Sequence, residues 1–129
     1  GFAVYCALRF HGNAVHLCTT QSRYAQNAAE QSRKDLAIPL AFKELQKKGL
    51  LPPTRGLLNK HMNRLDEKDL AKSWGAVTFF MTEPRRAKFL DYLRRMPMAG
   101  GKHEPVLQAV YGLGMEQFDD EVARQQMKE

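Results

Sequence analysis

Residues 66–81 read Asp66-Glu67-Lys68-Asp69-Leu70-Ala71-Lys72-Ser73-Trp74-Gly75-Ala76-Val77-Thr78-Phe79-Phe80-Met81, and this stretch decides the fold class. Leu70, Trp74, Val77 and Met81 recur at i, i+4, i+7 and i+11, the period of one helix face, with Phe80 beside them. Asp66 is a good N-cap, because its short carboxylate can accept the free backbone N–H groups of a first helical turn. The spacing therefore predicts a helix over 67–81.

The same reading extends in both directions. Downstream, Pro84 opens a helix over 85–95 with Phe89, Leu93 and Met96 inward, and Gly100-Gly101 forms a loop. Pro105 opens a short helix that Gly112 closes. A last helix begins near Met115, with Phe118 and Val122 one turn apart and Glu116, Asp119 and Asp120 near its positive end. Upstream, Leu51-Pro52-Pro53-Thr54 breaks the chain, and a short helix over 54–59 carries Leu57 and Leu58 inward. Before it, Pro39 fits the first turn of a helix whose stripe is Ile38, Phe42 and Leu45 and whose stop is Gly49. The segment 22–34 is Ala- and Gln-rich and helix-compatible. Val15, Leu17 and Thr19 alternate with polar residues, which leaves room for a short strand or hairpin over 14–20. Phe2, Cys6 and Phe10 recur every four residues and predict a helix that ends at His11-Gly12-Asn13. The expected fold is mainly α, an irregular array of about six or seven helices in a single domain over 1–129. The apolar first helix has no capping residue ahead of Gly1, so the chain is expected to be part of a longer one.

Composition narrows the classes of function. Apolar residues make up 43% of the chain and charged residues 26%, which is ordinary globular composition. No apolar run approaches the ~18 residues of a membrane span, and no charged-then-apolar leader is present. The compartment is left open by the sequence. The net charge of +6 is concentrated: Arg33, Lys34, Lys43, Lys47, Lys48, Arg55, Lys60 and Arg64 face only Asp35 and Glu44 over that stretch. Such a basic field can draw nucleic acid or an acidic partner, or be an ordinary solvated face. Phe42 is the only aromatic in it and belongs to the core stripe, so nucleic-acid recognition is weakly supported.

Catalytic motifs are absent. A zinc peptidase needs two His one helical turn apart beside a Glu, and His11, His16, His61 and His103 do not have that spacing. No G-x-S-x-G elbow, P-loop or G-x-G-x-x-G occurs; Gly112-Leu113-Gly114 reads as a turn between helices. Cys6 and Cys18 do not form a C-x-x-C pair, and they are either bonded to each other or two buried thiols. Cys6 sits on an apolar helix face, which favours packing over nucleophilic work.

Four segments, in order, carry a resemblance. Gly1-Phe2-Ala3-Val4-Tyr5 resembles the segment that follows the third zinc ligand of gluzincin metallopeptidases, N-E-G-F-A-x-Y/F in the aminopeptidase N group. Leu50-Leu51-Pro52 through Leu57-Leu58 is similar to the G-x-L-x-P-L-x-x-L-L segment of bacterial peptidase-MA-like domains of unknown function. Lys72-Ser73-Trp74-Gly75-Ala76-Val77 with Phe79-Phe80-Met81 resembles their Q-S-W-A-L-V-x-x-L helix. Tyr111-Gly112-Leu113-Gly114-Met115 through Glu121-Val122 resembles their closing F-G-x-x-x-x-x-L-E-x-x-W helix. The resemblance implies the C-terminal helical subdomain of a gluzincin-like zinc metallopeptidase or a degenerate relative. In it Gly1, Phe2, Ala3 and Tyr5 would belong to the third-ligand helix, and Leu70, Trp74, Val77, Phe80, Phe89 and Leu93 would anchor the core. It implies no catalytic residue, metal ligand or cofactor in this chain, zinc in the longer parent, and the upstream part of the same polypeptide as partner. Two departures stand out. Leu70 occupies the position where aminopeptidase-type relatives place an oxyanion-steadying Tyr, and Val122 replaces the closing Trp. Two other readings remain open: a helical binding module that uses the basic 33–64 surface, and a scaffold with no ligand.

Overall fold

The computed structural model describes residues 28–125 together with Tyr5, Cys6 and Arg9. These three are helical, and Cys6 is a half-buried free thiol. Gly1, Phe2, Ala3, Cys18, His11, His16 and the strand expected over 14–20 lie outside the described residues. The rest is mainly helical: α1 (Ala28–Lys48), α2 (Thr54–Leu58), a 3-10 turn (Met62–Arg64), α3 (Glu67–Met81), α4 (Arg86–Met98), α5 (His103–Tyr111) and α6 (Met115–Arg124). No strand occurs among the described residues, and none of their helices is long and apolar enough to cross a membrane.

The decisive helix forms with the bounds its sequence predicts. Asp66 Oδ1 accepts the Asp69 N–H at 2.9 Å, and Asp69 Oδ2 accepts the Asp66 N–H at 3.0 Å. This reciprocal pair satisfies two amides that a helix start would otherwise leave to water. Asp66→Ala is expected to lower stability by about 1 kcal/mol, the usual worth of such a cap. Urea unfolding of the variant at neutral pH checks it, and an unchanged midpoint would mean that the cap is idle.

α1 and α3 form the most extensive contact between helices among the described residues. Their approach is close because Gly75 presents no side chain to the fully buried Phe42 ring. On the other side of α3, Phe80 is the hub of an aromatic cluster. Its ring centroid lies 5.1 Å from Phe118, 5.2 Å from Tyr92 and Tyr111, and 5.5 Å from Phe89. One side chain thereby joins α3, α4, α5 and α6, and rings at these spacings add to the burial of their own area. The C-terminal end is stitched back onto the middle of the chain. The Gln46 side-chain amide donates to the carbonyls of Ala123 and Gln125, and Gln125 Nε2 donates to the Gly75 carbonyl at 2.7 Å.

Several expectations are corrected. Pro39 lies inside α1 and does not open it. The ring forfeits one backbone bond, but Ile38 and Phe42 on either side of it are buried, and their packing carries the helix through. α4 begins one residue later than expected and runs on to Met98, past Pro97. The buried residues of α3 are Asp69, Ala71, Lys72, Gly75, Phe79 and Phe80, whereas Leu70, Trp74 and Val77 are only half-buried. A helix covered on two sides needs more than one stripe, and here the second stripe contains charges that find partners. On α4 the buried side chain is Tyr92; Leu93 is 45% exposed and Phe89 half-buried. On α2 the buried residue is Thr54, with Leu58 exposed and Leu57 half-buried.

Candidate functional site

Two places in the fold bring polar chemistry together. The first is a buried charge node. Lys72, on the face of α3, is 1% exposed, and its ammonium lies 2.8 Å from Asp119 Oδ1 on α6. Thr54, at the start of α2, donates its backbone N–H to the same carboxylate at 3.1 Å and its hydroxyl to Oδ1. A carboxylate so surrounded has its charge compensated on several sides, which buried charges require. The node opens on a recess of about 240 Å³ between Gln46, Pro52, Pro53 and Ala123.

A fully buried carboxylate sits at the start of α3. Asp69, 1% exposed, receives Lys60 Nζ at 2.6 Å as well as the Asp66 amide. The lysine first and the amide second hold its carboxyl below the usual carboxylate range. The ion pair draws the Lys60 pKa upward in turn. Arg55 pairs with Glu104 at 2.7 Å, tying α2 to α5. Arg55 and Lys60 of the basic stretch are thus committed to ion pairs. Arg33, Lys34 and Lys43 lie along α1, Lys47 and Lys48 are exposed in its last turn, and Arg64 is exposed in the 3-10 turn.

The second place is an apolar cleft of about 300 Å³ walled by α2, α3, α4, α5 and α6, with Leu57, Val77, Phe89, Leu107 and Phe118 among its lining. At one end Tyr92 OH and His103 Nδ1 are 2.7 Å apart. Tyr92 is 6% exposed, and burial beside Tyr111 pushes its phenol up to about 12. Tyr111 is likewise pushed up to about 12 by burial, although the neighbouring Arg85 opposes the shift. Burial also pushes His103 below the ordinary imidazole range, because the interior disfavours the cation. The phenol therefore keeps its proton and the imidazole is neutral near pH 7. A buried phenol O–H seeks an acceptor, and Nδ1 is the one within reach. The bond thus runs from Tyr92 to His103 and leaves the ring proton on Nε2.

This pair has a consequence for stability. The unfolded chain takes up a proton at His103 near pH 6.5, before the folded one does. The histidine contribution is therefore fully present above that pH and is lost as the pH falls below it toward the lower folded value. Urea midpoints are expected to drop between pH 7.5 and 5.5. In the double variant Tyr92→Phe/His103→Phe, the drop over that window should shrink. An equal drop in both proteins would assign the effect elsewhere.

Of the residues singled out in the sequence, the structure gathers Trp74, Phe80 and Phe89 around the interior, and Trp74 meets the Phe42 ring edge-on at 5.9 Å. Lys72, Asp119, Tyr92 and His103 emerge only from the structure. His61 is exposed and its Nδ1 accepts the Asn63 N–H at 3.3 Å. No three His, Cys, Asp or Glu side chains converge as a metal site among the described residues. The chain matches no family model, no curated protein and no solved structure.

Proposed function

We propose that this chain is the C-terminal helical subdomain of a gluzincin-like zinc metallopeptidase or a degenerate relative, forming one wall of its cleft without supplying a catalytic residue or a metal ligand. The observation that carries the reading is the node on Asp119. The Leu50–Leu58, Lys72–Met81 and Tyr111–Val122 segments bear the resemblance, and one residue of each meets there: Thr54, Lys72 and Asp119. Segments that meet on one ion pair hold each other in place, as the parts of a single structural module must. Leu70 is half-buried one turn before Trp74 and has no hydrogen bond to offer an oxyanion.

The test compares this chain with the natural gene product extended upstream, by metal analysis after dialysis and by hydrolysis of a mixed peptide library. The extended protein is expected to carry H-E-x-x-H, a Glu immediately before Gly1 and one tightly held zinc, whereas this chain alone holds none. Zinc without hydrolysis, with activity appearing on Leu70→Tyr, would place the parent in a degenerate branch. An extension that lacks the motif or the zinc overturns the proposal.

A further inference from the structure

We propose that the cleft between α2, α3, α4, α5 and α6 is a binding site for a compact aromatic molecule that carries one acceptor oxygen. It goes beyond the subdomain reading, which needs no ligand here. The volume, about 300 Å³, admits one small ring system. The walls are apolar, and the rings of Phe80 and Tyr92 are among them, so a flat apolar molecule meets edges of the aromatic cluster. Polar groups are few, and each can be traced. Thr54 spends its hydroxyl on Asp119, and Tyr92 spends its O–H on His103 Nδ1. His103 Nε2–H is then a donor with no partner among the described residues. His103 lines both the cleft and an adjoining open hollow of about 750 Å³, so it stands where the two meet. A donor at the mouth of an apolar cleft selects an acceptor oxygen at one end of an otherwise apolar molecule, and Ser73 is the other uncommitted polar side chain in the lining.

The probes are acetophenone, which has the acceptor, and ethylbenzene, which lacks it. Binding is followed by 1H–15N NMR titration of the protein at pH 7.5. Acetophenone is expected to bind saturably, with the largest shifts at Val77, Leu93, His103 and Leu107, and about three to ten times more tightly than ethylbenzene, as one net hydrogen bond implies. In Tyr92→Phe/His103→Phe, which removes donor and acceptor together, the two probes should bind alike. Ala76→Leu should fill the cleft and abolish both. Absence of saturable binding to the folded wild-type protein overturns the proposal, as do shifts centred elsewhere. Equal affinities for the two probes in the wild type overturn the acceptor requirement. If Ala76→Leu fails to fold, the double variant still decides the point.

Discussion

Lys72→Met is expected to cost about 3 kcal/mol of stability, the low end for breaking a buried ion pair from one side. Methionine fills nearly the same volume, so packing changes little. What changes is that Asp119 loses its cation while Thr54 still holds it in place. The carboxylate keeps 24% of its side-chain surface in contact with solvent, which places the cost toward the low end. The companion variant Lys72→Met/Asp119→Asn removes the lone charge but keeps an acceptor for Thr54, and should recover about 1–2 kcal/mol. Urea unfolding of the two variants measures both numbers. If Lys72→Met unfolds at the wild-type midpoint, the node is not a buried pair in solution.

The second large effect is at Gly75. By helix propensity alone Gly75→Ala should stabilise α3 by about 1 kcal/mol. The structure reverses the sign. A Cβ at this position would overlap the Phe42 ring, whose nearest edge atoms include Cδ2 and Cζ at 2.5 and 2.7 Å. That ring is fully buried and braced edge-on by Trp74, so it has little room to withdraw. α1 and α3 must separate instead, and overpacking of this kind costs about 1–3 kcal/mol or somewhat more. We expect a net loss of about 2 kcal/mol. Phe42→Leu in the same chain should relieve part of it, and a double-mutant cycle should return a coupling of about 1 kcal/mol or more. A Gly75→Ala protein more stable than the wild type would show that the helices do not approach this closely.

The two predictions also mark where the sequence was legible and where it was not. Helix ends were readable where one residue type has a single local job: Asp66 caps α3, and Gly49 and Gly112 take positive φ at the ends of α1 and α5. The mainly helical class followed from period alone. The site did not, because its groups violate the rule that charged side chains face water. Lys72 and Asp69 are buried only because Asp119 and Lys60 meet them, and nothing in the order of residues announces those meetings. Thr54 and Asp119 are 65 positions apart. On α4 the choice was between two equally helical spacings from Phe89. Leu93 at i+4 fits the period as well as Tyr92 at i+3, and only the position of α5 and α6 selects the tyrosine. The polar pair with His103 was hidden by the same ambiguity. Pro39 misled for a related reason: it is locally a helix opener, and tertiary packing overrides it.

The stitch from Gln46 to the carbonyls of Ala123 and Gln125 has a consequence for the order of events during synthesis. Gln46 finds its acceptors only after 79 further residues have been made, roughly 4 to 16 seconds at ordinary elongation rates. Gln125, once made, also closes on Gly75. Through that interval α1 and α3 can already meet. Phe80, however, lacks first the rings of α4, then Tyr111 and finally Phe118. Until α6 is made the nascent chain therefore carries an uncovered aromatic surface around Phe80, and a binder of exposed rings present during those seconds would decide its yield.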